Sequence, residues 1–375
     1  MDVSTLQQTA FDQLGCGDFD AARATFAAAI RLALAEDGPD SLDAANLYSE
    51  LAALLERVNE YDEAVVAARE SISILERTPD WDRELAKIAV VSQGVLSMAL
   101  RALGQFDEAR AAILASVAIC EQHLGAAHGL TASAFIGLGV FYKYSGEFEL
   151  AEEAYQRAMA ILLPIYGEDG AGMALVYHNL GGLDHSRGRW EAGLVWAQKA
   201  WEITRRVHGA DSRQATADAV AVAALLDEMG PSEESAAIYR HALGVWRKIY
   251  GDEHYEVATT LHNLAALRRD LGDRGEAIGY FREAYVMKKA LLGGTSPDTA
   301  LTAMCLAQLL GEVGEKAEAV ALAREAHAAY AASCQAEHPF RIACGELLEE
   351  LESGGEVFVG DSQDSAAVPR RGGLG

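Results

Sequence analysis

Residues Gly139–Gly167 read GVFYKYSGEFELAEEAYQRAMAILLPIYG and contain a complete helix–turn–helix unit. Just upstream, Phe135, Leu138, Gly139 and Tyr142 fall at i, i+3, i+4 and i+7, which places them on one face of a helix. Gly146 stops that helix, because a residue without Cβ enters the left-handed region at no steric cost. Phe148, Ala151, Tyr155, Ala158 and Leu162 then form the inner face of a second helix. Neither helix can bury its apolar stripe alone, so the unit must stack on copies of itself.

The copies are present. With the helix-stopping residue as the zero of each repeat, the zeros are Gly17, Asn59, Gly104, Gly146, Gly188, Gly230, Gly272 and Gly314, 42 residues apart except for a spacing of 45 between Asn59 and Gly104. Seven positions before each zero stand Ala10, Ala52, Ser97, Gly139, Gly181, Ala223, Ala265 and Ala307. Five positions after it stand Ala22, Ala64, Ala109, Ala151, Gly193, Ser235, Ala277 and Ala319. All sixteen are small, as two helix backbones in close approach require. Leu51, Leu96, Leu138, Leu180, Val222, Leu264 and Leu306 recur at eight before the zero, with Thr9 the exception. Gly125, Gly167, Gly209, Gly251 and Gly293, at 21 after it, end the second helices, and N-cap residues such as Ser212 and Ser296 follow. The three-residue excess near Thr78–Arg83 reads as a longer loop carrying an exposed or half-exposed Trp81.

The 375 residues carry 31 Lys+Arg against 56 Asp+Glu, a formal charge of −25. Such a surface repels phosphate backbones, so nucleic acid is not an expected partner. Five scattered cysteines without a CxxC point to reduced thiols in a cytoplasm rather than a disulfide framework or zinc site. The N-terminus lacks the pattern of a signal peptide. Lys87, Ser92, Gln93 and Arg101 interrupt the apolar run Leu85–Leu103, which argues against a membrane span. No nucleotide, metalloprotease or hydrolase signature is present, so neither an enzyme nor a cofactor is expected.

The small-residue offsets resemble the tetratricopeptide repeat, and the 42-residue period resembles its kinesin-light-chain-like subclass. The stretch IYGDEHYEVATTLHNLAALRRDLGDRGEAIGYFREAY, Ile249 to Tyr285, carries the likeness in its GxxH (Gly251–His254), LxNLA (Leu261–Ala265) and GxxxxA (Gly272–Ala277). Gly125–His128, His338–Pro339 and Asn179–Gly181 echo parts of it. The heptad segment that joins kinesin light chain to its motor is absent. The resemblance implies an all-α, right-handed superhelix of eight repeats over residues 1–352. A cap helix is expected at about 338–352, and residues 353–375 read as a disordered tail, whose RRGG (Arg370–Gly373) is a flexible basic end.

The resemblance also implies that positions −10, −6 and −3 of each first helix line a concave groove, and helical geometry puts these three on one stripe. The −3 row includes Arg101, Lys143 and His185 in consecutive repeats, and Arg269; the −10 row includes His178 and His262. These six are the candidate partner-binding residues, a basic patch in an acidic chain fitted to an acidic peptide or a terminal carboxylate. The competing reading is a solvated face with incidental charges. Asn179 and Asn263 line the groove or bond neighbouring backbone. His178 and His185 lack a third metal ligand. Trp190 reads as core, and Trp196 and Trp201 as helix-packing residues or exposed anchors. Three functions remain open: a cytoplasmic scaffold binding a partner's peptide, a peptide-responsive regulator, and a self-assembling array. A monomer without membrane association is the expected state.

Overall fold

The computed structural model describes residues 2–333 and 339–353, and among these it contains seventeen α-helices and no strand. They fall into two compact units, Met1–Arg187 and Gly188–Gly375. The boundary coincides with the repeat zero at Gly188. The expected tail lies outside the described residues, as do Cys334 and His338.

Unit 1 holds α1 (Val3–Gly15), α2 (Phe19–Asp37), α3 (Leu42–Arg57), α4 (Tyr61–Arg77), α5 (Arg83–Ala102), α6 (Phe106–Ile119), α7 (Gly129–Tyr144), α8 (Phe148–Tyr166) and α9 (Ala171–Ser186). Unit 2 holds α10 (Trp190–His208), α11 (Arg213–Met229), α12 (Glu233–Tyr250), α13 (Tyr255–Asp270), α14 (Arg274–Leu292), α15 (Pro297–Glu312), α16 (Lys316–Ser333) and α17 (Pro339–Ser353). Within each unit every helix packs on the next, and the first helices of successive repeats also touch one another.

The turns have a local cause. Each zero residue has positive φ, Asn59 included at 64°. At Gly146 the motif closes with Glu147 N donating to the Tyr142 carbonyl at 2.8 Å. The ends of the second helices obey the same rule, and here Gly38 and Asp80 (φ 55°) occupy the 21-offset in the first two repeats, which the glycine pattern alone had missed. The next helix then starts on a side-chain cap. Ser41 and Ser212 accept from Ala44 N and Ala215 N, both at 3.3 Å. The histidines of the two GxxH motifs do the same work: Nδ1 of His128 accepts from Leu130 N at 3.1 Å, and Nδ1 of His254 from Glu256 N at 3.2 Å.

The three extra residues before Gly104 lengthen the expected loop by only one residue over the other such connections. The connection Thr78–Asp82 stays short, and α5 absorbs the excess, with 20 residues against 16 in α3 and α7. Continuing the helix satisfies backbone groups that a longer loop would leave to solvent. Trp81 is half-buried, and its Nε1 donates to the Leu75 carbonyl at 3.0 Å. By length and composition α5 is apolar enough to cross a membrane despite its interrupting polar residues, and half of that window is buried inside the protein.

All sixteen small residues of the two registers are buried. Gly139 shows why: a Cβ built there would lie 2.4 Å from the ring of Tyr155 on α8. On the outer faces, charge pairs join one repeat to the next, among them Arg69–Glu108 at 2.5 Å, Arg110–Glu147, Arg247–Glu283 at 2.7 Å and Arg324–Glu352 at 2.7 Å. Each is solvent-exposed and contributes about 0.2–1 kcal/mol.

Two outcomes follow. Gly139→Leu forces the Tyr155 ring aside and should destabilise unit 1 by about 1–3 kcal/mol or more; thermal melting against the parent measures it. The second concerns His254, whose pKa burial holds below the usual 6.5. The folded state therefore favours the neutral ring, the form whose Nδ1 can accept from Glu256 N. Its contribution is present above the unfolded pKa of about 6.5 and is lost as pH falls from there through the lower folded value. Melting between pH 7.5 and 5.0 should show this loss, and His254→Ser, which caps without titrating, should reduce it.

Candidate functional site

The C-terminal turns of α5 and α7 bring Arg101 and Lys143 onto one aromatic ring. The Arg101 guanidinium lies 4.0 Å from the ring centre of Tyr144 and the Lys143 ammonium 4.7 Å from it. Tyr144 itself is exposed. A cation over an aromatic face is attracted by the ring quadrupole, so one exposed tyrosine holds two charges from adjacent repeats. Burial pushes the pKa of Lys143 down; the Tyr144 hydroxyl raises it and Arg101 lowers it further. Across from the ammonium is α9, packed close to it: a Cβ at Gly182 would stand 3.5 Å from Nζ, in van der Waals contact.

Beneath this pair lies Tyr155, packed on Gly139 and wholly buried. Among the described residues its hydroxyl has no hydrogen-bond partner, and neither has the buried Nε of Arg101. Burial pushes the Tyr155 phenol well above its usual range, the neighbouring Tyr144 pushes it up further, and Arg101 pulls it down. Many arginines of this chain, such as Arg69, Arg110 and Arg282, pair with carboxylates of the next repeat. Arg101 is different: among the described residues it stacks on a ring and meets no carboxylate.

The other candidates are placed as follows. His178 and His185 are half-buried on α9, in the same unit as Arg101 and Lys143. Asn179 is buried, and its Nδ2 donates to the Leu175 carbonyl at 2.7 Å, so its role is to the backbone. In unit 2 the candidates are placed differently. His262 is wholly buried, with Nδ1 3.0 Å from Thr302 Oγ1 and the ring edge-on to Phe281 at 5.3 Å. Asn263 is 1% exposed. Arg269 is ion-paired with Asp270 at 3.0 Å; burial pulls its pKa down, but Cys305 and Asp270 push it above the usual range. Arg269 is therefore a neutralised charge, and His262 and Asn263 belong to the core.

The groove stripe also differs from expectation. Half of the −10 row is buried, at Ser49, Ile136, His262 and Met304, and the other four positions are half-exposed. On α5, α7 and α9 the exposed large hydrophobic residues are instead Val91, Tyr144 and Leu175, and Met98 and Val140 are half-exposed. Tyr144 and Tyr155 were missed in the sequence. Each looks like an ordinary aromatic of its own helix, and only the stacking of repeats brings Arg101 to them. Trp190 and Trp201 pack against Val222 and Leu225, as helix-packing residues do.

These features define a helical-repeat protein with a half-buried cationic and aromatic site on its first helices. The chain belongs to the tetratricopeptide repeat family, whose models match residues 3–77, 89–163 and 216–290, and, in a second form of the repeat, 173–214 and 299–340. A segment of 99 residues is 29% identical to a clustered mitochondria protein homolog of Neosartorya fischeri, covering 26% of this chain but only 8% of that protein. Among solved structures, a Rap protein complexed with competence and sporulation factor is similar over 83% of this chain and 88% of its own, with 17% identity and a TM-score of 0.59. A Rap conjugation gene regulator of the plasmid pLS20, in complex with the Phr* peptide, is similar over 84% of this chain and 80% of its own, with 16% identity and a TM-score of 0.53.

The burial of His262 gives a test that separates core from groove. His262→Ala removes a packed ring and its bond to Thr302, and should lower stability by about 1–3 kcal/mol. Melting of the variant checks this, and partner affinity measured on the folded fraction should be unchanged.

Proposed function

We propose that the chain is a non-catalytic scaffold that binds a peptide segment of a partner protein on the first-helix face of unit 1. The observation that carries this reading is the stacking of Arg101 and Lys143 on the exposed ring of Tyr144. Val91 and Leu175 are exposed on α5 and α9 and supply apolar contacts, while the two cations select acidic residues in the peptide. The acidity of the rest of the chain sharpens the contrast, since a local positive site in a −25 protein draws anions that the remaining surface repels. Tetratricopeptide repeats are in general non-catalytic interaction modules, which fits this role. The two Rap structures are complexes with competence and sporulation factor and with the Phr* peptide, and their likeness in fold supports a peptide ligand.

The same likeness favours a second reading, in which peptide binding acts as a signal and alters the surface offered to an effector. On either reading the protein works as a monomer in the cytoplasm, with its thiols reduced. Buried Cys120, Cys305 and Cys344 are consistent with that setting.

A degenerate acidic peptide library presented to the full chain tests the proposal. Arg101→Gln with Lys143→Met should weaken binding by about tenfold or more if both charged contacts act together. These neutral changes are preferable to glutamates, because the half-buried Lys143 site would have to bury a new carboxylate. Affinity should also fall as salt rises, since exposed charges are screened beyond about 8 Å at physiological ionic strength. Parent-like binding by the folded double variant would sink the proposal.

A further inference from the structure

We propose that the cleft between the second helices α4 and α6 of unit 1 receives an amphipathic helix of a partner protein, and that one arginine or lysine of that helix reaches Glu76. This surface is separate from the first-helix site and does not depend on it. The cleft has a volume of about 460 Å³, with α4 and α6 as walls and Leu96 and Leu100 of α5 as an apolar floor. Its two ends differ. At one, the exposed pair Arg69–Glu108 joins the walls. At the other, seven residues along each helix and so about 10 Å away, stand Glu76, Gln93 and Ala115.

The repeat shows what is missing at that second end. Seventeen positions after one turn and eleven after the next, successive second helices exchange a charge pair. Glu121–Arg157 at 3.8 Å, Arg247–Glu283 at 2.7 Å and Lys289–Glu325 at 2.6 Å are such pairs. In the α4–α6 cleft the same two offsets hold Glu76 and Ala115, and among the described residues Glu76 has no counter-ion. The next groove, between α6 and α8, also differs in its floor. There the Arg157 guanidinium lies 4.5 Å from the ring centre of Phe135, the residue at the offset of Gln93. Arginine and ring thus close the space that Ala115 and Gln93 leave open. Gln93 is half-buried, and its side chain makes no hydrogen bond among the described residues.

The cleft therefore lacks one cationic side chain over an apolar floor, and its geometry points to a helix as the supplier. The backbone groups of α4, α5 and α6 are taken up in their own ladders. An extended peptide laid there would lose water from its amides without gaining partners, whereas a helix satisfies its own backbone. Apolar residues one turn apart on such a helix fit between the alanine wall of α6 and Leu96, while its cation meets Glu76. A single cation suffices, because Glu108, the other acid lining the cleft, is already held by Arg69.

The test uses the full chain and three libraries of short helix-forming peptides. Each has leucines at i and i+4 and differs only in a fixed arginine, glutamine or glutamate at i+7, on the same face. The arginine library should bind at least fivefold more tightly than the glutamate library, since an acid at that position is brought against Glu76. Glu76→Arg changes an exposed residue and should reverse the order. Ala115→Arg supplies from within the side chain that Arg157 gives the next groove; it should abolish binding of all three libraries and leave melting at or above that of the parent. Arg101→Gln with Lys143→Met should leave binding of the arginine library unchanged, which separates this cleft from the first-helix site. No binding by any library, equal binding of the arginine and glutamate libraries, or parent-like binding by folded Ala115→Arg overturns the proposal. So does a dimer of the parent in light scattering that Ala115→Arg dissolves, because the cleft would then belong to a second copy of the chain.

Discussion

The structure depends on the close approach of two helix backbones within each repeat. The residues seven before and five after each turn are small because, within each unit, a first helix must come within contact of its own second helix, and all sixteen are buried. Gly139 is the extreme case, where the whole ring of Tyr155 occupies the place of a side chain. This contact fixes the pairing inside a repeat. The left-handed residue between the helices fixes the reversal, and the side-chain cap after the second helix fixes the next start. With those three set, each repeat has one way to stack, and every copy adds the same increment of buried surface.

Electrostatics is layered on that frame in two ways. On the outer faces, arginines and a lysine of one repeat reach acids of the next, as in Arg69–Glu108, Arg282–Glu318 and Lys289–Glu325, which also disperses the excess acid of the chain. These pairs are exposed and individually weak. On the first helices of unit 1 the logic reverses. Arg101 and Lys143 gather on Tyr144, without a carboxylate bound to Arg101, and a buried phenol lies beneath them. Two cations from adjacent repeats that share one aromatic ring are the arrangement on which the proposed peptide site rests.

Unit 2 shows how equivalent positions diverge. His262 and Arg269 occupy the same repeat offsets as His178 and Lys143. Yet His262 is enclosed between Thr302 and Phe281, and Arg269 is held by Asp270 next to it in sequence. The first helices α13 and α15 are buried over most of their length, so residues that could face a groove there instead fill the packing between helices. Identical offsets therefore place side chains alike along a helix without fixing what covers them.

The amino-acid sequence by itself determined the repeat, its period, its turns and its small-residue contacts. These are local properties: a glycine or asparagine in the left-handed region, an apolar stripe at helical spacing, a cap residue at a helix start. It also marked Arg101 and Lys143 as matching charges in adjacent repeats. What only the tertiary structure decided was the outcome of contacts between residues far apart in the chain. The extra residues before Gly104 lengthened α5 more than its loop, because backbone groups are better satisfied in a helix. Half of the −10 row, His262 among them, turned inward, while His178 at the same offset stayed half-exposed. Tyr144 and Tyr155 became parts of a site through an arginine from the preceding repeat. Periodicity fixes where a side chain starts, but burial and partners depend on which surfaces meet, and that is settled only when the repeats stack.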